Sequence, residues 1–359
     1  MKRRRFVGIF FLILVTFLLL PVARGMLPPP LGTAGNSLRY LAQNRGIEIG
    51  AAVNLKPLRE EPKYGKVLAR EFNLLTAENV MKFGPLRPTR DRFDFTDADY
   101  LIAFAERHNM RVRGHTLVWH RALPEWLEKG NFTRDELISI LREYIYRVVS
   151  HFRGRVFAWD VVNEAIADDG SLRDSFWLQN IGPEYIEMAF RWAREADPQV
   201  QLFYNDYGGE GLGTKSDAIY NLVKELKAKG VPIDGVGLQM HVSLNTSPPP
   251  PDVTENINRL AALGIEVNIT EMDVQTHKSA ETEEEKLAAQ AKIYGDMLRV
   301  CLAAKNCKAF VLWGFTDRYS WIPYETGNQD IPLIFDKSYR PKPAYDTLKQ
   351  TLKNFRVEA

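Results

Sequence analysis

The chain has 359 residues, 45% of them hydrophobic, ample for a buried core. Its 47 basic and 45 acidic side chains give a formal charge of +2, so near a balance that no preference for nucleic acid or another polyanion follows. Length alone allows two domains, but barrels of this size are routinely one.

Lys2, Arg3, Arg4 and Arg5 precede an apolar run that Pro21 ends. Ala23-Arg24-Gly25 then offers small residues at the spacing a signal peptidase needs. The run is shorter than the roughly 20 residues of a membrane-spanning helix. Residues 1–25 therefore read as a secretory signal, with an uncleaved anchor as the alternative. Cleavage after Gly25 removes five basic groups and no acidic ones, leaving 42 against 45 and a net charge of −3. A secreted, extracellular protein with no membrane attachment is the expectation. Residues 26–35, with Pro28, Pro29 and Pro30, read as an irregular linker. Residues 36–359 show no further break, and Pro248 to Pro251 reads as a loop inside one domain.

Eight strand-like runs follow: Ile47–Val53, Phe72–Glu78, Arg111–Val118, Val156–Asn163, Gln201–Asn205, Gly235–Val242, Glu266–Met272 and Ala309–Phe315. Most are apolar nearly throughout, as in parallel strands covered on both faces. Between them apolar residues recur at helical spacing, as in Leu137, Leu141, Ile145 and Val148. The last inter-strand helix carries Glu281, Glu283, Glu284 and Glu285 near its start, where the helix dipole favours negative charge. Eight strand-then-helix repeats predict an α/β protein, a single (β/α)₈ TIM barrel. A doubly wound open sheet is the alternative. Cys301 and Cys307 stand close together; an exported chain favours a short disulfide loop, and two free thiols are the other reading.

Seven of the eight runs end in polar or aromatic residues. They supply Glu78, Asn79 and Lys82, then His115, Trp119 and His120, then Asn163 and Glu164. Asn205 and Tyr207 follow, then Gln239 and His241, Glu271 and Asp273, and finally Trp313. In a parallel barrel all these ends meet at one face, where active sites of the fold lie. One polar strand end is ordinary turn chemistry, but seven rich in carboxylate, amide, imidazole and indole describe a polar cleft with aromatic walls. That composition suits sugar, whose hydroxyls need donors and acceptors and whose C–H faces need flat apolar surfaces. Trp119, Trp313 and Trp321 are the expected ring platforms; Trp126, Trp159, Trp177 and Trp192 are expected to pack.

Hydrolysis of a glycosidic bond with retention uses two carboxyl groups about 5–5.5 Å apart. Glu164 and Glu271 are the best pair, since each sits in an apolar strand context where an ionised group needs partners. Glu271 and Asp273 are two apart and point the same way on a strand, and Gln239 and His241 share that relation one strand earlier. Asp273 would orient His241, and His241 would keep Glu271 ionised. Glu164 would act first as acid, then as base.

Five ordered motifs resemble glycoside hydrolase family 10 across residues 36–355. They are Thr76-Ala77-Glu78-Asn79-Val80-Met81-Lys82-Phe83, His115-Thr116-Leu117-Val118-Trp119-His120, Trp159-Asp160-Val161-Val162-Asn163-Glu164, Ile269-Thr270-Glu271-Met272-Asp273 and Trp313-Gly314-Phe315-Thr316-Asp317-Arg318-Tyr319-Ser320-Trp321. The resemblance implies a retaining endo-β-1,4-xylanase acting on xylan and xylo-oligosaccharides, without cofactor and as a monomer. It places Glu164 at the acid/base and Glu271 at the nucleophile. Asn163 falls at the contact to the sugar 2-hydroxyl, and His241 and Asp273 at the relay behind the nucleophile. Glu78, Asn79, Lys82, His115 and Trp119 fall among residues gripping the non-reducing-side sugars, with Gln239, Trp313 and Trp321 as further walls. Asn205 and Tyr207 fall on the aglycone side. Cys301 and Cys307 resemble a disulfide found in part of the family. Arg121-Ala122 departs from a pair that often includes glutamine, which puts subsite preference in doubt and not the reaction.

The six histidines form neither an H-E-x-x-H nor a cysteine–histidine cluster, so no metal site is expected. Gly208 to Gly213 lacks nucleotide-loop spacing and reads as a flexible loop. A non-catalytic glycan binder would be marked by loss of one carboxylate, and both are present. An enzyme acting mainly on cello-oligosaccharides is the nearer rival.

Overall fold

The computed structural model describes residues 34–356. Residues 1–25, read above as a signal, and most of residues 26–35, read as a linker, lie outside the described residues. Ala34–Asn36 form one 3₁₀ turn, and the Ser37 hydroxyl accepts from Tyr40 N to start the first helix.

The strands are β1 (Glu48–Val53), β2 (Leu74–Ala77), β3 (Arg111–Val118), β4 (Ala158–Asn163), β5 (Gln201–Asp206), β6 (Gly235–Leu238), β7 (His241–Ser243), β8 (Glu266–Gln275) and β9 (Cys307–Leu312). Consecutive strands from β1 to β6 pair in parallel. Pairing of β6 with β8, β8 with β9 and β9 with β1 closes the ring. The result is an eight-stranded (β/α)₈ barrel, and closure excludes the open doubly wound sheet. Short β7 continues past β6 and pairs only with the far end of β8, His241 opposite Asp273.

The core lies mainly between the barrel and its helices, because alternate strand residues point outward. Ile49, Ala51 and Val53 of β1 pack there with Leu75 and Ala77 of β2. Helices supply matching apolar faces: Arg134–His151 buries Leu137, Leu141, Tyr144, Ile145 and Val148. Capping boxes start this helix at Thr133 with Glu136, and helix Glu283–Ala303 at Thr282 with Glu285. Glu281 therefore precedes that second helix. A separate small cluster of Leu74, Ala309 and Val311 packs against Phe157. Arg113 is fully buried, pairs with Asp160 and lies 4.3 Å from the Phe203 ring.

Three local expectations are corrected. Pro250 and Pro251 open helix Pro250–Ala262, since the first helical positions need no amide donor. Met240 has φ 65°, which breaks the strand between Gln239 and His241; they reach the same cleft without the simple two-residue relation. The Gly208–Gly213 segment is anchored rather than loose, because buried Asn256 donates to the carbonyls of Gly209 and Glu210. A disulfide joins Cys301 and Cys307, linking the end of helix Glu283–Ala303 to the start of β9.

Candidate active site

The strand ends open into a cleft of about 640 Å³. Glu164 and Glu271 both line it, from β4 and β8. Glu78, Asn79, Lys82, His115, Trp119, Asn163, Tyr207, Gln239, His241, Trp313 and Trp321 line it too. Buried Asn205 and Asp273 lie behind this wall and are bonded to its members.

Glu164 sits one residue past β4 with φ 58°, a left-handed conformation costly for a non-glycine residue. Both sides of its backbone are held. Its amide donates to Asn205 O at 2.8 Å, and its carbonyl accepts from Arg173 Nε at 2.7 Å. The carboxylate accepts from Trp119 Nε1 at 2.9 Å, Gln239 Nε2 at 3.1 Å and Asn163 Nδ2 at 3.2 Å. Burial pushes its pKa up, but the Trp119 and Gln239 hydrogen bonds, with Arg173, outweigh burial and hold it below the ordinary carboxyl range.

Glu271 is buried on β8. It accepts from Asn205 Nδ2 at 2.7 Å, and His241 Nε2 stands 3.2 Å from its other oxygen. His241 Nδ1 lies 3.0 Å from Asp273 Oδ2, which also accepts from Trp321 Nε1 at 2.7 Å. Burial lowers the His241 pKa, but the flanking carboxylates of Asp273 and Glu271 raise it well above the usual value. The ring therefore favours its charged form where it lies between these two side chains.

Amides tie the two glutamates together. Asn205 Nδ2 also donates to Asn163 Oδ1 at 2.8 Å, and Gln239 Nε2 to the same oxygen at 3.2 Å. Asn205 is itself fixed by the Thr270 hydroxyl at 2.7 Å. Beneath, Asp160 accepts from Arg113 and lies 2.9 Å from His115 Nδ1, which is 3.8 Å from Glu271. The buried ion pair in the barrel thus positions a histidine against the cleft floor.

The walls are more polar than bare ring platforms. Trp119 and Trp321 spend their N–H groups on Glu164 and Asp273. Lys82 Nζ lies 4.9 Å from the Trp119 ring and donates to Asn79 Oδ1 at 2.8 Å. Trp313 is nearly buried, edge-on to His115 and His241. Trp159 and Trp177 are buried packing residues, and Trp126 and Trp192 are partly buried against the core. At Tyr207, Lys215 Nζ stands 3.3 Å from the ring centroid. Lys215 also pairs with Asp206, which burial, partly offset by Lys215 and Tyr204, pushes up to about 6.

Sequence reasoning missed several lining residues, among them Asn54, Arg173, Tyr319, Tyr324 and Glu325. Asn54 follows β1 directly, and the strand-end rule applied to the first run, Ile47–Val53, finds it.

The sequence model of glycosyl hydrolase family 10 matches residues 37–351. The chain belongs to glycosyl hydrolase family 10. Among curated relatives, endo-1,4-beta-xylanase B of Thermotoga neapolitana is 43% identical over 327 residues, 90% of this chain and 93% of that protein. The solved family 10 structure of xylanase 10B from Thermotoga petrophila RKU-1 with xylobiose superposes with a TM-score of 0.86. It is 48% identical and covers 88% of this chain and 97% of its own. A protein called exoglucanase XynX, from Acetivibrio thermocellus, is 40% identical over 310 residues, which are 83% of this chain but only 28% of that protein.

Proposed function

We propose that this family 10 member is a retaining endo-1,4-β-xylanase that cleaves internal bonds of xylan and xylo-oligosaccharides by double displacement. Glu271 is the nucleophile and Glu164 the acid/base. The observation that carries the reading is the pair of glutamates in one cleft, bridged through Asn163, Asn205 and Gln239.

Glu271 attacks the anomeric carbon while Glu164 passes its proton to the departing oxygen, leaving a glycosyl ester on Glu271. Water then attacks that carbon; Glu164 takes the water's proton, and Glu271 leaves as carboxylate. The His241 cation keeps Glu271 ionised for attack and stabilises it as a leaving group. Trp119 and Gln239 favour the carboxylate form of Glu164, the form the second step needs. Protonation for the first step requires one of these donors to yield to the glycosidic oxygen, which accepts a hydrogen bond where the amide or indole donates.

The names of the Thermotoga relatives support a xylan substrate. The exoglucanase name belongs to a protein of which the matched part is a minor share, so it weighs less. Export to the extracellular space through residues 1–25 and action as a monomer are part of the proposal. Initial rates on aryl xylobioside and aryl cellobioside test substrate choice. Higher kcat/KM on the xylobioside is expected, and a clear preference for the cellobioside would overturn it.

A further inference from the structure

The cleft rim is electrically divided. The arc after β9, β1 and β2 carries Glu325, Asn54, Glu78 and Asn79, with Lys82 its one cation among these lining residues. The arc after β3, β4 and β5 carries Arg121, Arg173 and Tyr207, with Lys215 packed against the Tyr207 ring.

The cations of this second arc are not equivalent. Arg173 is committed to the Glu164 and Ile166 carbonyls and the Tyr207 hydroxyl. Lys215 is buried and paired with Asp206 and Asp168. Arg121 is exposed and lines the cleft, yet makes no hydrogen bond or ion pair with another described residue. Its turn is fixed. Ala122 is held at φ 56°, with its carbonyl accepting from Gly84 N at 2.9 Å. A Cβ on Gly84 would stand 2.8 Å from that oxygen, so the turn is seated on a glycine that admits it. All three cations face His120, whose pKa falls to about 4 through burial first and then through Arg173, Arg121 and Lys215, against the pull of Glu164. A neutral His120 adds no competing charge.

We infer that Arg121 is a docking point for a carboxylate on the glycan, so that this arc of the cleft selects chains bearing uronic acid branches over uncharged ones. The inference rests on the xylanase reading above. A guanidinium offers a planar fork that matches a carboxylate. At an exposed rim, such a pair is worth about three- to fivefold in affinity at low salt.

The test uses three xylo-oligosaccharides of one length: unbranched, bearing a uronic acid branch, and bearing the same branch with its carboxyl reduced to an alcohol. Kd values are measured on the Glu271→Gln background, which needs no turnover. Tighter binding of the acid than of its reduced form is expected, by about three- to fivefold. The ratio should approach one in about 0.5 M NaCl and also on adding Arg121→Gln, and should partly recover with Arg121→Lys. A ratio near one at low salt, or one that Arg121→Gln leaves unchanged, overturns the inference. Wild-type turnover of the unbranched oligosaccharide is followed in parallel. Its absence would sink the xylanase reading alone, because the Kd ratio would still report on the carboxylate site.

Discussion

His241 Nε2 stands 3.2 Å from the Glu271 carboxylate, and the ring's raised pKa makes it a cation at that contact. Replacing His241 with asparagine removes the charge and leaves Glu271 with Asn205 as its remaining strong donor. A hydrogen bond to a charged group is worth about 1.5–3 kcal/mol, so kcat/KM should fall roughly 10- to 100-fold. The nucleophile's pKa should rise, moving the acid limb of the pH–rate profile to higher pH. A profile whose acid limb does not move would show that His241 does not set the charge on Glu271.

Gln239 governs the opposite limb. Its amide is 3.1 Å from Glu164 and favours the carboxylate. Gln239→Leu removes that donor, so the Glu164 pKa should rise and the alkaline limb of kcat/KM should move to higher pH. Rates measured across pH on an aryl substrate with a poor leaving group, which needs the proton, check this.

Gly237 supports the site from behind. A Cβ there would lie 2.1 Å from Asn205 Oδ1 and 2.9 Å from Thr270 Cγ2. Gly237→Ala must therefore displace Asn205, breaking its bonds to Asn163, Glu271 and Thr270. Thermal unfolding should show a loss of about 1–3 kcal/mol, the cost of unsatisfied buried polar groups and overpacking. Activity should fall about as far as in Asn205→Ala.

Much of this was legible in the sequence because parallel barrel strands are apolar throughout and turn polar at one end. Glu164 and Glu271 stand out for that reason. Asn54 did not, because it also caps helix Leu55–Glu60 by accepting from Lys56 N and so resembles ordinary helix-start chemistry. Arg173 was illegible. It lies nine residues beyond Glu164, and only the Ile166–Leu172 bridge turns the loop back so that its guanidinium reaches the Glu164 carbonyl. The Met240 bend was hidden as well, since nothing in Gln239-Met240-His241 marks a left-handed residue.

Asp317 supplies a stability prediction outside the cleft. Burial pushes its pKa up to about 6, although Lys342 and the Leu333 amide pull it down. The folded value exceeds the unfolded one, so the folded state binds more protons between about pH 4 and 6. Its contribution is full below the unfolded pKa and is lost as pH rises through about 6. Asp317→Asn lacks this titration, so wild type should exceed it in stability by more at pH 4 than at pH 7. The difference is at most ~3 kcal/mol. Denaturant unfolding at the two pH values measures it.

The most direct test of the central claim is covalent trapping. A 2-deoxy-2-fluoro xylobioside with a good leaving group slows both steps but the second more, so a glycosyl-enzyme should accumulate. Peptide mass mapping is predicted to find the sugar on Glu271, with labelling retained in Glu164→Ala. No adduct at all, or one on a different side chain, would contradict the assignment of Glu271 as nucleophile in a double displacement.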